Sequence, residues 1–232
     1  MPPPLGMDTP LRKDTPAPLG GVTLATMEGI LSEMMSLFPD QLFHLGLDET
    51  FTDSECTEDN LKSLEVSLLK HVAVNKTTVT WEEAFSSTAT VLNSTIVQAW
   101  KSASIKSIVD SKRYAINSLS SHFYLNYLAV SPAKLWTDIS AGLDQTEVKY
   151  LLGGEMAMWT DNYCYISECF NPSSKPSTWW MYDPSHDAQF TQSISGIIWP
   201  RAVVGAASFW NFKQDLDPES ADFLLRYKAS NK

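Results

Sequence analysis

An α/β protein is predicted by two features of this sequence. From about residue 22 onward, short apolar runs alternate with stretches of helical apolar spacing, and each run finishes on a large or polar group. Alternation of this kind builds a parallel sheet covered by helices. Chemistry-bearing groups collected at the C-terminal ends of strands point further, to a (β/α)8 TIM barrel.

Residues 1–21 hold Pro2, Pro3, Pro4, Pro10, Pro16 and Pro18 with few large apolar residues, so they read as a leader without regular structure, and the folded part is expected over 22–232. Leu24, Met27, Ile30, Leu31, Met34 and Met35 follow at helical spacing and predict an amphipathic helix from Val22 to near Pro39. Gln41-Leu-Phe-His-Leu-Gly-Leu47 is a short strand that ends in Asp48-Glu49-Thr50. The unit repeats with a helix over Glu58–Val74 and a strand Thr77–Trp81 ending in Glu82-Glu83. A strand over Ser94–Trp100, a helix over Ser102–Val109, a strand over Arg113–Ser118 and a fifth strand over Tyr150–Met158 complete the pattern. Asn162–Ser195 reads as a long irregular section, a length that usually marks a functional loop. An apolar helix-like stretch, Ile197–Trp210, then precedes Asp217-Pro-Glu-Ser, which caps a last helix to about Lys228.

A hydrophobic fraction of 44% with 19% charged residues is the balance of a folded protein rather than a disordered one. The net charge of −10, without any run of Lys or Arg, removes the attraction that phosphate backbones or anionic lipid require, so neither nucleic acid nor membrane is an expected partner. No stretch reaches the roughly 18 consecutive apolar residues of a membrane span, and the N-terminus lacks the pattern of a signal peptide. Two features point instead to a lysosomal or secreted parent protein. Asn75-Lys-Thr and Asn93-Ser-Thr are glycosylation sequons, and Cys164 and Cys169 are close enough in an irregular stretch to form a small disulfide loop, leaving Cys56 over.

The sharpest chemical feature is His44-Leu-Gly-Leu-Asp48-Glu49 at a strand's end. Adjacent carboxylates repel, which favours keeping one of them protonated near neutral pH, as a general acid must be. Alone, such a pair is more often a solvated turn; the surrounding aromatics shift that balance, since flat sugar faces stack on rings and sugar hydroxyls bond to carboxylates. No His and Cys spacing suggests zinc and no Gly-rich phosphate loop is present, so no metal and no cofactor is expected.

These residues resemble the family 20 glycoside hydrolases, the β-N-acetylhexosaminidases, whose signature is His-x-Gly-Gly-Asp-Glu at the end of the fourth barrel strand. The likeness continues in order through Trp81-Glu-Glu, Val97-Gln-Ala-Trp100, Phe123-Tyr124-Leu, Gly153-Gly-Glu-Met-Ala-Met-Trp159 and Trp199-Pro-Arg-Ala202. The resemblance implies an incomplete barrel holding roughly strands four to eight, and hydrolysis of terminal β-linked N-acetylglucosamine or N-acetylgalactosamine with retention, the substrate's own acetamido group serving as nucleophile. It implies Glu49 as general acid and then base, Asp48 orienting the acetamido nitrogen, and Tyr124 bonding the acetamido carbonyl oxygen. Trp81, Trp100 and Trp159 would wall the acetamido pocket and the sugar ring. Asp161 and Asn126 would hold outer hydroxyls, and His44 would support the motif through a buried hydrogen bond that orients Asp48 or its strand. His122, often Pro in relatives, reads as a surface or loop-lining residue. Family members often dimerise, which makes a homo-oligomer the expectation by analogy.

The chain departs from the family in two respects. Leu47 replaces the second Gly of the signature and puts a side chain beside the acidic pair, where it is expected to crowd the sugar pocket. The strands that carry an Arg, a His and an Asp in relatives are not in this sequence, and parallel sheets are normally covered on both faces. A fragment of a longer gene product, a partner chain that supplies the missing strands, and a degenerate relative are the three explanations, the first being favoured. The competing function is therefore a truncated, non-catalytic carbohydrate-binding remnant. A chitinase-like barrel is disfavoured because its Asp-x-x-Asp-x-Asp-x-Glu run is absent.

Overall fold

The computed structural model describes residues 22–49, 57–87, 91–101, 103–127, 130–159, 187–212, 216 and 220. The Pro-rich leader, Cys56, Asp161, Cys164, Cys169 and the last helix to Lys228 lie outside the described residues apart from Ser220. The chain divides into two compact units, Met1–Leu92 and Asn93–Lys232.

In the first unit, α1 (Val22–Leu37) and α2 (Glu58–Ala73) pack together through Leu31, Leu68 and Val72, with Leu24, Met35, Phe43, Leu45 and Leu64 around them. The start of α2 is stopped from fraying by Thr57, whose hydroxyl accepts the Asn60 N–H at 3.3 Å. Glu58 and Asp59 in the first turn and Lys70 and His71 in the last complement the helix dipole. The apolar residues of α1 do not all turn inward: Met27, Ile30, Met34 and Leu37 remain exposed. Between the helices lies β1 (Leu42–His44), parallel to β2 (Thr77–Trp81) with Leu42 opposite Thr77 and His44 opposite Val79. The ladder outruns β1 at both ends, through Thr77 N–H to Gln41 O at 2.8 Å, Leu45 N–H to Val79 O at 2.9 Å and Trp81 N–H to Gly46 O at 3.0 Å. A short helix, α3 (Glu82–Ser87), follows β2 at once.

The second unit holds β3 (Ile96–Ala99), α4 (Ile105–Asp110), β4 (Ala115–Asn117), α5 (Ser120–Phe123), α6 (Pro132–Leu135), a 3-10 turn Val148–Tyr150, β5 (Leu151–Gly154) and α7 (Asp187–Asn211). β3 is fully buried, β4 pairs in parallel with both β3 and β5, and the β4–β5 register shifts between Ala115 and Ile116. Strands buried in this way read as near-continuous apolar runs, and Ile96-Val-Gln-Ala99 is one except for Gln98, a polar side chain that is itself 2% exposed. Phe123, Leu125, Val130, Leu135 and Val204 form the core beneath α7. Gly154 lets α7 come close, since a Cβ there would lie 2.6 Å from the Phe209 ring.

All five expected strands are found, four of them shorter than predicted. The expected strand Tyr150–Met158 stops at Gly154, after Gly153 takes φ 149°, and pairing resumes only as an isolated bridge between Ala157 and Tyr124. The irregular section expected through Ser195 ends sooner, because α7 begins at Asp187. Phe190, Ile194, Ile197 and Ile198 carry the helical apolar spacing upstream, which Ser193, Ser195 and Gly196 mask in sequence. Among the described residues no helix is long and apolar enough to cross a membrane.

Candidate active site

In the first unit, the chain leaves β1 through a left-handed turn. Gly46 has φ 74°, Leu47 φ 66° and Glu49 φ 46°. Glycine adopts this conformation freely, whereas a leucine there costs about 1–2 kcal/mol. The Leu47 substitution thus loads the backbone as well as adding a side chain, which is half-buried. The turn leaves Asp48 half-buried and Glu49 exposed at the C-terminal end of β1. His44 Nδ1 accepts the Gly46 N–H at 3.0 Å, so its remaining proton sits on Nε2. That bond ties an exposed residue to the turn that follows its own strand. The His44 ring meets Trp81 edge-on, centroids 5.3 Å apart and planes at 61°. His44, Asp48, Glu49 and Trp81 therefore gather where β1 and β2 end.

The second unit gathers the other predicted aromatics. Trp100, immediately after β3, stacks on Tyr124 with 6.0 Å between centroids and 7° between planes. Trp159 tilts against Tyr124 at 6.1 Å and 56°, and Tyr127 at 5.7 Å and 43°. Tyr124 is only 4% exposed, and its backbone is tied to the chain beyond β5, where Leu125 N–H donates to Ala157 O at 2.7 Å and Ala157 N–H to Phe123 O at 3.0 Å. Lys101 Nζ lies 5.2 Å from the Trp100 ring. Asn126 is 3% exposed, with neither Oδ1 nor Nδ2 hydrogen-bonded among the described residues, a state that costs about 1–3 kcal/mol.

Arg201 is the residue that the sequence does not single out by role. From α7 its guanidinium donates to the carbonyls of Tyr127 at 3.0 Å, Val130 at 3.1 Å and Leu125. One side chain thereby clasps the segment that carries Tyr124 and Asn126. Its signal was the Trp199-Pro-Arg-Ala202 run, whose purpose no local pattern reveals. His122 does line a loop cavity of about 390 Å3, together with Lys101, Ser104, Asn117 and Asp138. Its Nδ1 lies 2.8 Å from Ser121 Oγ; burial, and then the charge of Lys134, push its pKa down, which favours the neutral ring. Among the described residues no cluster of three or more His, Cys, Asp or Glu side chains is arranged to hold a metal ion.

Residues 14–167, more than half of the chain, match the model of the glycosyl hydrolase family 20 catalytic domain. Beta-hexosaminidase 1 of Arabidopsis thaliana is 27% identical over 213 residues, which are 83% of this chain and 34% of that protein. Beta-hexosaminidase subunit beta of Homo sapiens is 23% identical over 242 residues, 91% of this chain and 38% of that protein. Among solved structures, an inactive variant of a family 20 exo-β-N-acetylglucosaminidase from Vibrio harveyi superposes with a TM-score of 0.64 at 18% identity, covering 93% of this chain and 35% of that one. This last likeness is one of fold. The chain spans little more than a third of the length of these relatives.

Proposed function

Because the chain belongs to glycosyl hydrolase family 20, we propose that it acts on glycans ending in β-linked N-acetylglucosamine or N-acetylgalactosamine, and that it hydrolyses them with retention. The acetamido oxygen of the substrate attacks C1 as the glycosidic C1–O bond breaks, and Glu49 gives its proton to the departing oxygen. Asp48 accepts the acetamido N–H while positive charge develops on the oxazolinium ring, and the Tyr124 hydroxyl donates to the acetamido oxygen. Water then adds to C1, Glu49 takes its proton, and the ring reopens to the sugar with its original configuration.

Trp81, Trp100 and Trp159 serve as the sugar's apolar walls, Asn126 and Asp161 as partners of its outer hydroxyls, and His44 as the prop of the turn. The observation that carries this reading is the left-handed turn after β1, with Asp48 half-buried and Glu49 exposed at the strand's C-terminal end. A residue that must meet both a substrate oxygen and water needs that exposure. The five strands correspond, on this reading, to the fourth to eighth of a barrel, the parent protein is lysosomal or secreted, and it forms a homo-oligomer.

A second reading is favoured by Leu47 alone: a carbohydrate-binding remnant without turnover. Release of 4-nitrophenol from 4-nitrophenyl N-acetyl-β-glucosaminide and its galacto epimer, compared between the chain and its Glu49→Gln variant, separates the two. Turnover abolished by the substitution supports the hydrolase. Saturable N-acetylglucosamine binding without turnover in either protein selects the remnant.

A further inference from the structure

The two sequons, Asn75-Lys76-Thr77 and Asn93-Ser94-Thr95, have no part in the proposed chemistry, yet their asparagines are alike in the fold. Asn75 lies exposed in the turn between α2 and β2, its N–H bonded to Val72 O at 3.1 Å and its side chain bonded to nothing among the described residues. Asn93 is also exposed; its Oδ1 accepts from Arg113 Nη2 at 3.2 Å, and its Nδ2 is bonded to nothing among the described residues. In an N-linked glycan Nδ2 is the atom that carries sugar.

Placement supports the same conclusion. Asn75 precedes by two residues the start of β2, a strand that ends in Trp81. Asn93 precedes by three the start of β3, after which Trp100 follows. In each unit the sequon stands at the N-terminal end of a parallel strand and the candidate site residue at the other, the end where barrel enzymes do their chemistry. Asn75 follows Val74, a residue 78% exposed.

We propose that Asn75 and Asn93 both carry N-linked glycans. The inference rests on the lysosomal or secreted reading given above. The donor is an oligosaccharide linked through its C1 to a lipid diphosphate. Nδ2 bonds to C1, the C1–O bond breaks with its electron pair leaving on the diphosphate, and Nδ2 loses one proton. Thr95 is fully buried in the fold, so transfer at Asn93 precedes the formation of β3; what the folded chain must tolerate is only the sugar on Nδ2, which faces no partner.

Cell fractionation followed by peptide-N-glycosidase treatment of the native protein in 18O-labelled water tests this. Recovery from the lumen of the secretory route, with labelled aspartate at both 75 and 93, is the expected result, and an Asn75→Gln/Asn93→Gln double variant expressed in the same cells then shows no mobility change on enzyme treatment. Lumenal protein that lacks label at either position overturns the glycan there while leaving the route intact. Recovery from the cytosol overturns the route and both sites together.

Discussion

The ring of Trp100 lies parallel to that of Tyr124, within 7° and with centroids 6.0 Å apart, so a residue at the end of β3 sets the plane of a phenol that follows α5. Offset stacking of this kind contributes about 0.5–1.5 kcal/mol beyond burial and fixes the ring in one orientation.

Tyr124→Phe keeps that stack and removes only the hydroxyl. On the proposed chemistry kcat falls about 10²–10³-fold with little change in KM, the cost of one donor to a developing charge. Steady-state kinetics alongside an unchanged melting temperature checks it; a variant as active as the parent removes Tyr124 from the reaction.

Arg201→Ala leaves the carbonyls of Leu125, Tyr127 and Val130 without their shared donor. Hydrogen bonds to a charged group contribute about 1.5–3 kcal/mol, so thermal unfolding shifts downward markedly. Arg201→Lys recovers part of the loss, since an ammonium reaches fewer carbonyls than the guanidinium fork.

At position 47 the comparison is between two small residues. Leu47→Ala retains the cost of φ 66° and gives up the half-buried side chain, whereas Leu47→Gly gives up the side chain but frees the backbone. Denaturant unfolding is expected to show the Gly variant more stable than the Ala variant by about 1 kcal/mol, despite glycine's larger unfolded-state entropy.

Glu65, in α2, is 2% exposed, and its Oε2 has no hydrogen-bond partner among the described residues. Burial raises its carboxyl pKa, and the charge of Lys62 opposes that only in part. A folded pKa above the unfolded value means that the native state holds the proton more tightly. The contribution is therefore favourable below the reference value of 4.5 and is lost as pH rises through the folded pKa. Glu65→Gln, which cannot ionise, should stabilise the protein at pH 7 by about 1 kcal/mol and lose that advantage below pH 4.5, as chemical denaturation across pH measures.

What was legible in the sequence follows from how local its cause is. Thr77-Thr-Val-Thr80 is β-branched throughout, ends in the aromatic Trp81 and forms β2 over those five residues, while Glu58–Ala73 carries its own cap and charge pattern and forms α2. The short helices α3, α5 and α6 escaped because four to six residues show no period. At the site, the acidic pair and the tryptophans could be read from type and order. The contact of His44 with Gly46, the strain at Leu47 and the clasp of Arg201 could not, because each depends on backbone direction or on residues far apart in the chain.

The clasp also dates the site in the life of the chain. Arg201 bonds carbonyls 71 to 76 residues upstream, so a ribosome has long since made the Tyr124 segment before the side chain that holds it emerges. Synthesis runs from the N-terminus, and a contact across that separation closes late. Until α7 arrives, the segment is shaped by its bonds to Ala157 and its ring contacts with Trp100 and Trp159, without the three carbonyl bonds of the clasp. Any transcript or protease product that stops short of residue 201 yields a chain in which Tyr124 and Asn126 are present in composition but lack that support.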